Sequence, residues 1–539
     1  MDAHRQVSRR SFLQSVALFG GLASVPGVLA ACGAPASGPA GGNGGELKEL
    51  KVALPGSLSS LDASKEAGIM NYVVALLCQE ALVGVDANGK LVPALAESWK
   101  SDDAKTFVYR LRKDVKFSDG TPVTAADIVA SLEYNAKSGS TSAFAYAYAG
   151  VESIKATSEH EVTIELKQTD SSFEWTVSPG SLLVTSAAFL KNGEKIGTPE
   201  TKILGTGPYK VTEFAPDSHV TLERNDAWWG GKAAIAKIRF EFIAEDSTRL
   251  LAMRQGEADV ALNVPLEQLD QWRKVSGVKV ETATDRSLVA LAFNTAVKPF
   301  DDVHVRKAFA HAIDRAGIVR TVLGGHAEVA TTIPSPSQWA GLPASEVQAM
   351  YAAIPQYEFD LAKAKAELAQ SSVPKGFKTE LHYPNSGPQL GKAALTLAEN
   401  LKQLGIELEV KEVTLEAWIA ELGERKAGIA FGWYFATTGD PAEFTQMLLN
   451  GANAGKGGTN IASYTEAKVT GPLDKAKTTT DGAARAKLIG EALTVSAADA
   501  PYQPLWWGES ATAFGPKVTA EGYGPYFFIA PWATRIAPK

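Results

Sequence analysis

The residues of this chain that could do chemistry are few and do not converge. The seven histidines are scattered, and the sequence contains no Gly-x-Ser-x-Gly elbow, no P-loop ending in Gly-Lys-Ser/Thr, no His-Glu-x-x-His and no Cys-x-x-Cys. His304 and His311 fall on one face of a helical stretch. Val305, Ala308, Phe309, Ala312 and Ile313 form the apolar stripe of that stretch, so the two imidazoles belong to its polar side and solvation is expected in preference to a metal. Of the two cysteines, Cys78 ends the apolar run Tyr72-Val73-Val74-Ala75-Leu76-Leu77 and reads as a small buried hydrophobe. A structural disulfide is thereby excluded. No nucleophile, base and orienting group can be picked out together, so an extracellular hydrolase is disfavoured and no cofactor is called for.

The other cysteine sits in a processing signal. Arg5, Arg9 and Arg10 precede an apolar stretch from Phe12 to Ala31, which Gly20, Gly21 and Pro26 interrupt. Ser8-Arg9-Arg10-Ser11-Phe12-Leu13 resembles the twin-arginine export motif, and Leu29-Ala30-Ala31-Cys32 resembles the lipobox at which bacterial lipoproteins are lipidated and cut. Residues 1–31 are therefore expected to be a signal peptide and Cys32 the lipidated mature N-terminus. A transmembrane anchor is disfavoured by the glycines, the proline and the small residues at the end of the stretch. Residues 32–45, nearly all Gly, Ala, Pro and Ser, cannot bury apolar surface and read as a tether.

The elements that would position a site follow from periodicity. The 539 residues exceed what one hydrophobic core usually serves, so at least two lobes are expected, and 45% hydrophobic with 21% charged residues is the composition of an ordinary folded protein. Cleavage before Cys32 leaves 50 Lys and Arg against 59 Asp and Glu. This mildly acidic balance without a large basic patch argues against nucleic acid as a partner. Leu50, Val52 and Leu54 alternate as a strand, as do residues 107–112 and 162–166. Thr124 and Asp127 have capping-box spacing ahead of Ile128, Val129 and Leu132, which starts a helix there. Residues 379–383 read as a strand, apolar residues at 390, 394, 397, 401 and 404 as a helix closed by Gly405, and 406–410 as another strand. Strand, helix and strand in that order build parallel sheet, so the chain is α/β.

Four segments resemble the family 5 extracellular solute-binding proteins of bacterial ABC importers, the oligopeptide, dipeptide and nickel binders. They are Leu91 to Trp99 continuing through Tyr109 to Lys113 and Lys116 to Asp127; Gly205-Thr206-Gly207-Pro208-Tyr209-Lys210-Val211 with Arg224-Asn225 and Trp228-Trp229; Ala292-Phe293-Asn294-Thr295 with Val305 to Arg315; and Gly432-Trp433-Tyr434-Phe435 followed by Gly439-Asp440-Pro441 and Phe444. Most of these residues read as architecture. Gly205, Gly207 and Pro208 punctuate a chain reversal, and Asp119 to Pro122 is a turn.

The resemblance implies a two-lobed periplasmic-binding-protein clamp with a hinge, of type II and of the three-domain cluster C architecture. On that pattern 46–85, 204–295 and 501–539 form a discontinuous domain I, 86–203 domain II and 296–500 domain III. It further implies that Ser59 to Ala67 and the loop after Trp433 approach the cleft, with Trp433, Tyr434, Phe435, Thr437 and Asp440 as the candidate ligand-binding residues. Aromatic rings there would supply broad apolar area at small entropic cost. Peptide binders of the family carry an aspartate a few residues after that Trp to pair the ligand's α-ammonium; here the stretch is Phe435-Ala436-Thr437-Thr438, and the acid is absent. The implied function is a monomeric, lipid-anchored receptor on the extracytoplasmic face of the membrane. It would capture a small peptide or peptide-like solute and deliver it to ABC permease subunits and their ATPases. A sugar, an opine-like compound or a metal chelate, or presentation of the ligand to a sensor, would use the same sequence pattern.

Overall fold

The computed structural model describes residues 45–66, 68–137, 142–339 and 341–539. The expected signal peptide with its arginine pair, Cys32 and the expected tether up to residue 44 lie outside the described residues. The described residues group as one unit by their contacts.

One nine-stranded mixed sheet organises the chain. Its strands are β1 (Leu50–Leu54), β2 (Tyr209–Ala215), β3 (His219–Arg224), β4 (Lys237–Phe242), β5 (Val260–Ala261), β6 (Lys279–Phe293), β7 (Glu328–Val329), β8 (Ile429–Phe435) and β9 (Tyr502–Phe514). They run in the order β8-β6-β9-β5-β1-β4-β3-β2, with β7 also paired to β9. β1 lies parallel to β4 and β5; the long strands β6 and β9 are antiparallel to each other over most of their length. A separate four-stranded antiparallel sheet takes Ala96–Lys100, Thr106–Leu111, Glu161–Leu166 and Val151–Ser158 in that spatial order.

The buried apolar side chains divide in a way that makes two lobes. Two core groups draw on residues up to Val280 and from Ala511 onward, and two others on residues 288–507. β6 and β9 feed both sets: Val280, Ala511, Ala513 and Phe514 on one side, Leu288 to Phe293 and Tyr502 to Trp507 on the other. Between them the β6–β9 register slips, from Thr284 opposite Glu509 to Leu288 opposite Trp507. An irregularity that leaves residues unpaired is where a two-stranded connection bends most easily.

The local readings stand. The helix Ala125–Ala136 begins at the capping box, with Asp127 accepting from the Thr124 amide at 2.9 Å and its hydroxyl at 2.7 Å. Lys378–Pro384 and Glu407–Val413 pair in parallel around the helix Pro388–Lys402, and Gly405 supplies the left-handed residue (φ +79°) that ends it. His304 bonds Glu367 at 2.7 Å and His311 meets the Glu358 carbonyl at 2.8 Å, both on the polar side of the helix Val303–Ala312. Cys78 is free and buried, and burial pushes its thiol far up. At Gly205 and Gly207 the reason for glycine is close approach as well as a bend: a Cβ would lie 2.2 Å from the Cys78 carbonyl oxygen at Gly205 and 2.7 Å from that of Leu77 at Gly207.

The motif segments meet at a buried acid that sequence reading did not pick out. Glu80 accepts from Thr206 Oγ1 (2.8 Å), Trp228 Nε1 (3.3 Å) and Trp229 Nε1 (2.9 Å), and the Arg112 guanidinium stacks 4.3 Å above Trp229. Burial outweighs these donors and raises the Glu80 carboxyl from 4.5 to about 7. A carboxyl raised in the folded state keeps a proton that the unfolded chain has already released, so this group's contribution falls as pH rises from 4.5 to 7. The decline amounts to roughly 3 kcal/mol, since each pH step of one between the two values is worth about 1.4 kcal/mol. Urea unfolding at pH 5 and pH 8 checks this: Glu80→Gln should narrow the stability difference between the two, and an unchanged difference would contradict it.

Candidate functional site

The strand that carries the aromatic run forms because Ile429, Phe431 and Trp433 alternate onto one core face while Tyr434 takes the other. β8 pairs antiparallel with β6, placing Trp433 opposite Val289, Tyr434 opposite Leu288 and Phe435 opposite Ser287. The three aromatics therefore do not share a surface. Trp433 is half-buried and Phe435 is 59% exposed, their rings 5.7 Å apart. Both line a cavity of about 200 Å³ beside the register slip, together with Asp285, Glu509, His326 and Lys392. Asp285 accepts from the Ser287 amide at 2.7 Å, and burial pushes its carboxyl up. Tyr434 points to the opposite face of the sheet, packs 6.2 Å from Phe444, and has a hydroxyl shielded from water without a hydrogen-bond partner; burial pushes its phenol up.

The loop after β8 is held by its own acids. Glu443 takes four hydrogen bonds, from the amides and hydroxyls of Thr437 and Thr438, at 2.7 to 2.9 Å. Asp440 forms a two-pronged pair with Arg485 (2.7 and 2.8 Å) and accepts from the Ala442 amide at 2.8 Å. Both carboxylates are committed to shaping the loop. The segment Ser59–Glu66 turns its bonds elsewhere: Glu66 accepts from Ser59 and Ser60, and Leu61 and Lys65 bond the backbone of residues 193–197. Ala67 lies outside the described residues.

The loop meets the opposite lobe along a seam that sequence reasoning missed. A Cβ on Gly180 would lie 2.5 Å from the Thr437 carbonyl oxygen, and one on Gly439 would lie 2.7 Å from the Trp175 ring and 2.8 Å from the Tyr526 hydroxyl. Tyr526 donates to the Ser337 carbonyl at 2.6 Å, and Ser171 donates from its amide to the Lys477 carbonyl at 2.8 Å. No periodicity in the sequence reports a contact between parts of the chain so far apart.

A serine, histidine and glutamate do line up on the hairpin β2–β3, where Ser218 Oγ is 2.9 Å from His219 Nδ1 and His219 Nε2 is 3.1 Å from Glu213. They do not line the cavity, and two of the three are sequence neighbours in local contact. Among the described residues no group of three or more His, Cys, Asp and Glu could hold a metal ion, and no helix is long and apolar enough to cross a membrane.

Residues 90–456, more than half of the chain, match the family model described as bacterial extracellular solute-binding proteins, family 5 middle. The chain is 27% identical over 467 residues to the glutathione-binding protein GsiB of Escherichia coli K12, covering 85% of this chain and 88% of GsiB. It is 27% identical over 477 residues to heme-binding protein A of Haemophilus influenzae, covering 83% and 84%. The structure of the ABC transporter-associated periplasmic binding protein DppA from Helicobacter pylori in complex with the peptide STSA superposes with a TM-score of 0.77 at 25% identity, covering 92% of this chain and 98% of DppA. With two lobes joined by β6 and β9 and a cavity at the joint, the chain belongs to the bacterial extracellular solute-binding proteins of family 5, the binding components of ABC importers.

Proposed function

We propose that this protein is a monomeric, lipid-anchored receptor on the extracytoplasmic face of the cell membrane, which closes its lobes over a small solute, presents it to permease subunits and catalyses nothing. The observation that carries the reading is the seam: two glycines, Gly180 and Gly439, sit where a side chain would collide with the opposite lobe. Their bareness permits a closure that a solute bridging both lobes would stabilise. The division into domain I (46–85, 204–295, 501–539), domain II (86–203) and domain III (296–500) is part of this proposal. It is supported by β6 and β9 feeding both sets of core residues.

The solute is a peptide or peptide-like molecule, supported by the likeness to a glutathione binder and to a binder in complex with STSA. Trp433 and Phe435 face it across the cavity, whereas Tyr434, Thr437 and Asp440 act through the shape of the strand and loop. A second reading, a solute without a free ammonium, is favoured by the saturation of Glu443 and Asp440, which leaves neither to pair a buried amine.

The anchor is tested directly. Cys32→Ser should move the protein from the membrane fraction to the soluble one, as followed by blotting of fractionated cells, and persistent detergent-dependent membrane association would contradict it. Replacing Arg9 and Arg10 with Lys should block export by the twin-arginine route; undiminished export would assign the general secretory route.

A further inference from the structure

A second cavity, of about 480 Å³, lies within the lobe built from residues 288–507, and no residue lines both it and the Trp433 cavity. One wall is the helix Leu415–Glu424, which sets Trp418 and Leu422, one turn apart, on the cavity side while Ile419 stands 56% exposed. Arg425, in the left-handed region at φ +58°, ends the helix and turns the chain into Ala427–Ala430, which forms a second wall. The start of the strand Lys378–Pro384 supplies a third. The volume falls within the range of about 300–1,000 Å³ that small-molecule sites occupy.

The charged groups around this cavity are already matched. His382 Nδ1 lies 2.7 Å from Glu421 and its Nε2 3.2 Å from Glu380, which also pairs with Lys411 at 3.0 Å. Glu424 pairs with Lys426 at 3.2 Å and Lys456 at 2.9 Å, and the Arg425 guanidinium donates to the carbonyls of Leu422, Gly455 and Gly458. Asn294 spends its amide on the carbonyls of Arg425 and Ala427 and its oxygen on the Ala296 amide. One lining group is left over. Trp418 is 7% exposed, and its Nε1 is shielded from water with no hydrogen-bond partner. Among the described residues it is the one shielded polar side-chain atom on this cavity without a partner. A buried indole N–H ordinarily has an acceptor, and the unfilled space beside this ring is the cavity.

We propose that this cavity is a second ligand site, which takes a small neutral molecule with an apolar body and one carbonyl or hydroxyl oxygen that receives the Trp418 N–H. A charged ligand would have to leave water for a wall whose charges already have partners, and the cost of that transfer excludes it. Leu422, Ile429 and Ile461 supply apolar surface to the body of the molecule. The walls include Asn294, the residue after β6, and Ile429 and Ala430 at the start of β8, so the occupant rests against the two strands that lead to the Trp433 cavity. The site lies inside one lobe and stands or falls independently of lobe closure.

The test is fluorine NMR of the mature protein with 4-fluoroacetophenone, and with 1-ethyl-4-fluorobenzene as a probe of similar shape that lacks the acceptor. The wild-type protein should broaden the ketone resonance saturably, at a concentration at least roughly fivefold lower than it does the control, the scale of one net hydrogen bond. Trp418→Phe should bring the ketone to the level of the control and leave its own melting temperature within about 2 °C of wild type. Leu422→Trp, which fills the cavity, should abolish binding of both probes. No saturable binding of the ketone by the wild type, equal binding of the two probes, an undiminished ketone preference on Trp418→Phe, or undiminished binding on Leu422→Trp would each overturn the assignment.

Discussion

Gly180→Leu should reduce solute affinity by at least roughly a hundredfold while leaving the solute-free protein as stable as wild type. The size of the effect follows from what the side chain meets. The Cβ alone would sit 2.5 Å from a backbone oxygen of the other lobe, which cannot swing aside as the end of a flexible side chain could. The closed form is thus penalised and the separated form untouched. A solute that gains its affinity by bridging both lobes can bind no better than the closed population allows. Gly180 does not occupy the left-handed backbone region, so leucine adds no backbone strain there. Equilibrium dialysis with the retained solute and differential scanning calorimetry without it are the two measurements. Unchanged affinity would mean that solute binds without the seam forming.

Asp440→Ala should cost about 3 kcal/mol of stability, the scale expected when one partner of a largely buried ion pair is removed. The Arg485 side chain is 13% exposed and that of Asp440 is 9%. Arg485 Nε is already shielded without a partner, so the guanidinium has no second carboxylate to turn to. Loss of the Ala442 amide's acceptor adds to the cost. Urea unfolding reads the effect, and the double variant Asp440→Ala with Arg485→Met should recover part of it because no unpaired charge remains. A direct ligand-binding role for Asp440 predicts the opposite pattern, with stability retained and affinity lost.

The two outcomes bear on how far a sequence of this kind can be read. The parallel unit around the helix Pro388–Lys402 was legible because its signals are local: period 3.6 in the helix, alternation in the flanking strands and a glycine at the end. Membership of the family was legible because its segments are long, and the α/β clamp followed from it. What stayed hidden was everything decided by contact between distant parts. Nothing about Glu80 in sequence announces that Thr206, Trp228 and Trp229 will converge on it. Trp433, Tyr434 and Phe435 look equivalent as a run, and only the pleat against Val289, Leu288 and Ser287 separates two cavity residues from one packed on the other face. Asp440, grouped with the ligand residues by its place after Trp433, is drawn off by Arg485, 45 positions along.

Closure of the lobes on a solute is tested most directly by small-angle X-ray scattering. Protein purified without denaturation would be compared with the same protein stripped of solute by unfolding and refolding. Stripping should raise the radius of gyration, returning the solute should lower it again, and Gly180→Leu should stay at the expanded value in both conditions. Superimposable scattering from the loaded, stripped and Gly180→Leu proteins would contradict a clamp that closes on its solute.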